Sequence, residues 1–291
     1  MRCAMKSIIT GIFLVVLSIC SGMVYSLDFG EEFSKALKEN VQKKLGDNSG
    51  STANVVSGLF GTSQEEEIAI GKQISGNLLG ASPLVKDPLL QKYVNNVGRW
   101  VASQSERPDL PWHFGVIESR DINAFAAPGG YVFVTRGLYQ QLQSEAALAG
   151  VLAHEIGHVI RKHHLKILQQ SSWVDLGGQA LSRQVGNNEK VQQLIGSGAE
   201  VMARSLDKNA EFEADSIAMV LSTRAGYDPF SFIEVLQGIG HIANDDNSVA
   251  MLFKTHPHPE ERLDKLSVVM GNNFDSIKGL TLDKRFYRLK P

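Results

Sequence analysis

The segment AALAGVLAHEIGHVI, residues 146–160, carries the strongest structural and chemical signal in the sequence. An α-helix turns about 100° per residue, so His154 and His158 lie within about 40° of each other on one helix face. Two imidazoles on one face can bind the same Zn²⁺ ion, and Glu155 beside them can take a proton from a water that the metal activates. The rest of the segment is apolar, and burying these three side chains unpaired would cost several kcal/mol. The segment therefore predicts a metal-binding helix in the core.

The apolar pattern predicts that this helix runs beyond Leu165. His164 follows His154 by ten residues, a spacing at which metzincins use a third histidine after a glycine breaks the helix. Arg161 stands here at the glycine position. In a continuous helix, His164 lies about 15 Å along the axis from His154, too far to share a metal. We therefore expect His163 and His164 to form a solvated, cationic helix end.

A third ligand is needed, because a catalytic zinc keeps three protein ligands and one open position. In the segment NAEFEAD, residues 209–215, Glu211 and Asp215 are four residues apart and share a helix face, whereas Glu213 points elsewhere. Such a pair suits one carboxylate on zinc and another that orients a ligating histidine. The alternative is three solvated carboxylates on a surface helix, which would leave the two histidines without a partner.

Three motifs occur in order: HEIGH at 154–158, EFEAD at 211–215 and THPHPEERL at 255–263. Together they resemble the HtpX and CAAX prenyl protease family of gluzincin zinc metallopeptidases, and most of all its soluble periplasmic, BepA-like branch. The resemblance covers roughly residues 63–266. The membrane-embedded members of that family have several transmembrane helices, and the BepA-like members carry a C-terminal helical-repeat domain. The present sequence shows neither feature, so roles that depend on the repeats are not expected of it.

The resemblance implies a zincin-like metalloprotease domain with one Zn²⁺ per chain. His154 and His158 would be ligands, Glu211 the third ligand, Asp215 its motif partner and Glu155 the general base.

His256 and Arg262 match the spacing of the family's histidine–arginine pair. A cation or hydrogen-bond donor near zinc can stabilise the oxyanion of a tetrahedral intermediate. His256 could instead occupy the open zinc position and hold the enzyme latent, as the resemblance suggests. The sequence leaves both roles open, and His258 is expected to have none.

Residues 124–127 and 131–135 flank Pro128-Gly129-Gly130 and predict a β-hairpin. An exposed edge strand beside the metal can bind an extended peptide by backbone pairing. An ordinary structural hairpin is the alternative. The candidate substrate-binding residues are Asn123, Ala124, Phe125 and Ala126.

Other signals predict the surrounding elements, and together they indicate an α+β, mainly helical fold with a small β-sheet beside the HExxH helix. A strand is expected over residues 112–117, and residues 254–259 are expected to form a proline-punctuated loop. The predicted helix starts are Ser63 with Glu66 as a capping box, Asp87-Pro88, Ser144, Asp207, Asp228-Pro229 and Pro259.

The first 26 residues read as a secretory signal peptide, with Arg2 and Lys6 before an apolar run and cleavage after Ser26. An uncleaved anchor is the alternative, and Ile19 before Cys20 disfavours lipidation at that cysteine. Cleavage would remove both cysteines of the 291-residue chain, so the metal must be held by nitrogen and oxygen ligands. No later stretch has the length of a transmembrane helix. We expect a periplasmic protein.

The predicted domains are the signal peptide 1–26, a loosely ordered segment 27–62 and a peptidase domain 63–291, in which the glycine-containing residues 171–200 are expected to be mobile or partly helical. The predicted function is an exported zinc endopeptidase that acts on unfolded or extended polypeptides, with peripheral contact to envelope or outer-membrane assembly proteins. The net charge of −2 gives no reason to expect a nucleic-acid partner. A zinc-dependent chaperone or binding module, and a hydrolase of cell-wall peptides, are the alternatives.

Overall fold

The computed structural model describes residues 62–168, 206–243 and 246–289. Helices dominate these residues, and three short strands form one sheet, which confirms the predicted α+β, mainly helical class. In chain order the elements are α1 (Gln64–Ala81), α2 (Pro88–Ala102), β1 (His113–Ile117), β2 (Ala124–Ala127), β3 (Tyr131–Thr135), α3 (Arg136–Gln141), α4 (Glu145–Ile160), α5 (Lys208–Arg224), α6 (Phe230–Gly240), α7 (Ala250–Thr255) and α8 (Pro259–Met270).

Several of the described helices begin where short polar side chains satisfy the first free backbone N–H groups. Ser63 and Glu66 form both hydrogen bonds of a capping box at the start of α1. Asp87 accepts two backbone N–H bonds at the start of α2, Ser144 caps α4, and Asp207 caps α5. These predicted helix starts are therefore confirmed.

The sheet has the strand order β1-β3-β2. β1 runs parallel to β3, while β2 pairs antiparallel with β3 and places Phe125 opposite Phe133. The turn between β2 and β3 needs left-handed backbone conformations, which Gly129 (φ 73°) and Gly130 (φ 100°) adopt. The predicted hairpin is confirmed, and its first strand, β2, lies at one edge of this sheet.

Helix α4 is the centre of the core, since all its residues from Glu145 to Val159 are buried. It packs against α2, α5, α6 and β2. Gly157 lets α5 come close, because a Cβ at this position would lie 3.2 Å from Cα of Ala214. The motif helix is thus held against the helix that carries the acidic motif and against the edge strand.

The prediction that this helix continues beyond Leu165 is wrong. Helix α4 ends at Ile160, Lys162 takes a left-handed conformation (φ 57°), and residues 163–168 are helical again. The turn folds the chain back toward the core, so His163 and His164 are only 5% and 9% exposed. Their prediction as a solvated helix end is therefore also wrong.

The partner that holds this turn is Glu67, a fully buried residue of α1. Its carboxylate accepts two hydrogen bonds from Arg107 and one from the backbone N–H of Gly129, and Nζ of Lys162 lies 3.2 Å from it. Burial would raise the pKa of Glu67, but these donors and cations hold it below its ordinary value. Glu67 therefore ties the hairpin turn and the break after α4 to one point.

The predicted loop over residues 254–259 begins later than expected. Lys254 and Thr255 belong to helix α7, and the loop starts at His256. No side chain caps the start of α7, so the sequence carries no signal for it.

Within the described residues, none of the helices combines the length and the apolar character required to cross a membrane. The predicted signal peptide at 1–26, residues 27–61 and the glycine-containing stretch 171–200 lie outside the described residues, and these predictions stand as made.

The contact between α1 and the hairpin turn gives a test of the fold. A Cβ added at Gly71 would overlap the carbonyl oxygen of Pro128 in the turn, whereas one at Gly76 on the same helix meets nothing within 4 Å. We expect Gly71→Ala to lower the free energy of unfolding by about 1–3 kcal/mol. Gly76→Ala should raise it by about 0.5–1 kcal/mol, because alanine is the better helix former. Urea unfolding measures both, and equal stabilities of the two variants would contradict the packing described.

Candidate metal centre

Two helices bring three possible metal ligands together in the core. Helix α4 supplies His154 and His158, and α5 supplies Glu211. Nε2 of His154 lies 3.0 Å from Nε2 of His158 and 3.6 Å from Oε2 of Glu211. Nε2 of His158 lies 3.5 Å from Oε1 of Glu211. All three side chains are buried.

His256, directly after α7, joins this group. One potential ligand atom from each of His154, His158, Glu211 and His256 lies within 4.8 Å of the other three. Nδ1 of His256 is also 2.6 Å from Oε2 of Glu211. The structure thus brings together the three predicted ligands and the histidine whose role the sequence left open.

The donor atoms suit a zinc ion. Oε1 of Glu211 is buried and has no hydrogen-bond partner within the described part of the chain. The Nε2 atoms of His154 and His158 face each other at 3.0 Å, and when both rings carry their proton on Nδ1, toward Asp215 and His163, these two atoms present only lone pairs to each other. A cation between two nitrogens and a carboxylate oxygen would satisfy all three groups, and this donor set is one that zinc accepts.

Charges within the group favour ligand forms. Burial would raise the pKa of Glu211, but the neighbouring histidines, first His256, hold it well below its ordinary value, so the carboxylate is ionised. Burial lowers the pKa of His158 well below its ordinary value, so its imidazole is neutral. An ionised carboxylate and a neutral imidazole are the forms that bind metal.

Asp215 and Arg262 lie at the Nδ1 side of the His154 ring, opposite the Nε2 atom that faces Glu211. Oδ1 of Asp215 is 2.8 Å from Nδ1 of His154, and Arg262 donates to both carboxylate oxygens, from Nε at 2.9 Å and Nη2 at 2.6 Å. An acceptor at Nδ1 places the proton there and leaves the Nε2 lone pair free toward Glu211. Burial would raise the pKa of Asp215, but the Arg262 charge holds it well below its ordinary value.

The contacts of Arg262 bear on its predicted role. Its guanidinium binds Asp215, and Nη2 lies 3.4 Å from Nδ1 of His154, on the side of that ring away from Glu211. These are the contacts of a residue that orients a ligand through Asp215. Direct stabilisation of an oxyanion by Arg262 stays a prediction.

Glu155 lies in α4, is 2% exposed and borders a small cavity of about 10 Å³. That volume matches roughly one water molecule. Burial raises the pKa of Glu155, while the charges of His154 and His256 act in the opposite direction. The other lining residues are Ala124, Phe125, Ala126, His164, Leu206, Thr255 and His256.

The edge strand therefore borders the same cavity as the candidate base. Three of the four predicted substrate residues, Ala124, Phe125 and Ala126, line it. Asn123 is buried at the start of the strand, where Oδ1 accepts a hydrogen bond from the backbone N–H of Ala124. Its Nδ2 has no partner among the described residues.

Two histidines near the site were not expected there. His164 lines the cavity, and burial lowers its pKa to about 4. Nδ1 of His163 lies 2.9 Å from Nδ1 of His158. Neither glycine nor proline marks the chain break that positions them, so the sequence carried no local signal for this arrangement.

Comparison with known proteins gives a consistent family. Residues 88–269 match peptidase family M48. The chain is 31% identical over 218 residues to the beta-barrel assembly-enhancing protease of Escherichia coli (strain K12), covering 70% of this chain and 45% of that protein. The corresponding Yersinia pestis protein is 30% identical, over 68% of this chain and 43% of its own length. The mitochondrial metalloendopeptidase OMA1 of Arabidopsis thaliana is 26% identical, over 62% of this chain and 36% of its length.

The chain thus spans less than half the length of these relatives. The match confirms the family resemblance of the motifs and, with the helical architecture, the predicted zincin-like fold class.

The pair of Asp215 and Arg262 gives a stability test that needs no metal. Arg262→Met would leave the buried Asp215 carboxylate without its cation, and we expect a loss of about 3–5 kcal/mol in the free energy of unfolding. The matched control is Lys208→Met, which removes an exposed ion pair with Glu261 and should cost about 0–1 kcal/mol. Urea unfolding in the presence of a chelator measures both. A similarly small loss of stability in the two variants would contradict the proposed stabilisation of the buried Asp215 carboxylate by Arg262.

Proposed function

Because the chain belongs to peptidase family M48, we propose that it is a zinc-dependent endopeptidase with His154, His158 and Glu211 as metal ligands. The observation that carries the proposal is the convergence of these three side chains, with a buried Glu211 oxygen that lacks a partner in the described residues. One Zn²⁺ per chain fits the donor set.

Glu155 is the proposed general base. Zinc, when bound, polarises the scissile carbonyl and makes a water molecule acidic. Glu155 borders a cavity of the size of one water and accepts the proton as the water attacks. Burial raises the pKa of Glu155, which makes its carboxylate a stronger base for that proton; the leaving amine, a stronger base still, then takes the proton from it.

Asp215 and Arg262 are proposed to position His154. The Arg262 charge keeps Asp215 ionised, and Asp215 holds the Nδ1 proton of His154, so that Nε2 remains available to the metal. Their contribution to catalysis passes through this ligand.

His256 is proposed to hold the site latent by occupying the fourth ligand position. Support comes from its place within the 4.8 Å group of ligand atoms. Substrate entry would require His256 to leave this position. The alternative is that His256 donates to the developing oxyanion, and the two roles predict opposite effects of its removal.

The proposed substrate is an extended polypeptide that pairs with β2. Pairing of this kind uses backbone groups and is tolerant of sequence, which suits unfolded or unassembled chains. Ala124, Phe125 and Ala126 bring this strand beside Glu155. The names of the bacterial relatives, which refer to β-barrel assembly, support envelope proteins as the substrate class. Export to the periplasm is part of the proposal and is supported by the signal-peptide pattern of residues 1–26.

The role of Glu155 can be tested by Glu155→Gln. The amide cannot accept the proton, so we expect casein cleavage to fall by at least about 100-fold while zinc content stays at that of the wild type. Activity is measured on denatured casein and on cell-wall peptides, with and without a chelator, and zinc content by elemental analysis.

The control for this experiment is Glu234→Gln, which changes an exposed glutamate on α6 and should leave cleavage unchanged. Wild-type rates in the Glu155→Gln protein would remove the assignment. Chelator-sensitive cleavage of cell-wall peptides alone would replace the endopeptidase by another amide hydrolase. Chelator-sensitive binding of casein without cleavage would favour a binding module.

The proposed latch, in which His256 occupies the fourth ligand position, predicts the opposite effect on cleavage when His256 is replaced. His256→Ala should raise casein cleavage on the order of tenfold if about a tenth of the wild-type protein is open at any moment. Zinc content should stay near one per chain, because the three proposed ligands remain. Lower cleavage with zinc retained would contradict the latch and favour the oxyanion role.

A further inference from the structure

The second ligating histidine has a support of a different kind from the first. Nδ1 of His158 lies 2.9 Å from Nδ1 of His163, and both rings are buried. The two rings meet edge to face, with centroids 5.1 Å apart and an interplanar angle of 69°. Nδ1 of His158 thus contacts one imidazole nitrogen, where Nδ1 of His154 contacts a carboxylate.

The direction of this hydrogen bond follows from the proposed metal site. If Nε2 of His158 offers its lone pair to the metal, the ring proton sits on Nδ1 and is donated to His163. Nδ1 of His163 must then be the acceptor, so its own proton sits on Nε2. That nitrogen lies 3.3 Å from Oε2 of Glu213 and can donate to it.

Glu213 closes the chain of hydrogen bonds at the surface. Its side chain is 47% exposed, and Nε of Arg161 lies 2.9 Å from Oε1. Arg161 also donates to Glu106 at 3.1 Å. Each group in the series from His158 through His163 to Glu213 therefore has a partner of the right polarity.

This arrangement needs both the chain break after α4 and the helix α5. Residues 161 and 162 break the helix, and the left-handed Lys162, held by Glu67, turns His163 back over His158. Glu213 comes from α5, two residues after the proposed ligand Glu211. The helix break and the acidic motif thus meet at the same histidine.

We propose that His163 is a positioning residue for the metal: it accepts the Nδ1 proton of His158, fixes the tautomer that binds through Nε2, and is itself held by Glu213. The proposal rests on the proposed zinc site. Removal of such an outer partner typically weakens metal binding by about 10- to 100-fold. Because this partner is a neutral imidazole, we expect a loss near the lower end of that range.

Three variants separate positioning from packing. His163→Leu fills a similar volume without an acceptor. His163→Asn keeps one, because its amide oxygen lies at about the place of the imidazole Nδ1. His241→Ala is the control, an exposed histidine that bonds within its own helix. Zinc affinity is measured by competition with a chromophoric chelator, the coordination geometry by the visible absorption of the Co²⁺-substituted full chain, and stability by thermal unfolding in chelator.

We expect His163→Leu to weaken zinc binding about tenfold and to change the Co²⁺ spectrum. His163→Asn should stay within about threefold of the wild type, even if both variants lose stability, and His241→Ala should be unchanged. Wild-type affinity in His163→Leu, or an equal loss in His163→Asn and His163→Leu, would overturn the proposal. A wild-type chain that binds no zinc would overturn the metal site itself.

The surface end provides a second route if His163→Leu does not fold. Glu213→Ala changes a half-exposed side chain, and we expect it to weaken zinc binding by about two- to tenfold. Glu234→Ala serves as its control. Equal zinc affinities in these two variants would overturn the proposed role of Glu213 in holding His163.

Discussion

The structure depends on the burial of opposite charges between α4 and α5. Glu155, Glu211 and Asp215 are nearly inaccessible, and Arg262 is the buried cation beside them. These three carboxylates outnumber the one guanidinium, in a medium where unpaired charge is costly. A divalent cation at the proposed His154–His158–Glu211 site would offset this excess of acidic groups. The same residues that suit the chemistry of zinc therefore also make a cation favourable in the core.

Glu67 sets a second constraint, because it links parts of the chain that lie far apart in sequence. Its carboxylate accepts hydrogen bonds from Arg107 and from the backbone N–H of Gly129 in the hairpin turn, and it forms an ion pair with Lys162 at the chain break. The turn fixes the end of β2, the edge strand beside Glu155, and the break fixes His163 and His164. One buried carboxylate outside the proposed metal cluster thus contacts both the turn that follows the proposed substrate strand and the chain break that precedes His163.

Local signals predicted most of the elements, and long-range contacts explain the rest. Polar caps such as Ser63 and Asp207 act within their own helix turn, so they can be identified in the sequence, as can the four-residue spacing of His154 and His158. The break after Ile160 is contacted by Glu67, which lies about ninety residues earlier, and no local pattern in the sequence indicates the break. The place of Arg262 behind His154 depends likewise on how α8 meets α5.

The two proposed histidine ligands have hydrogen-bond partners of unequal strength. His154 donates to an ionised, fully buried carboxylate that Arg262 clamps through two nitrogens. A hydrogen bond to a charged group is roughly twice as strong as one between neutral groups. His158 has a neutral imidazole as its partner, and the carboxylate beyond it is half-exposed. Solvent competes for Glu213 but not for Asp215. At the proposed metal site we therefore expect His154, supported from α8, to be held more firmly than His158, supported from the chain break.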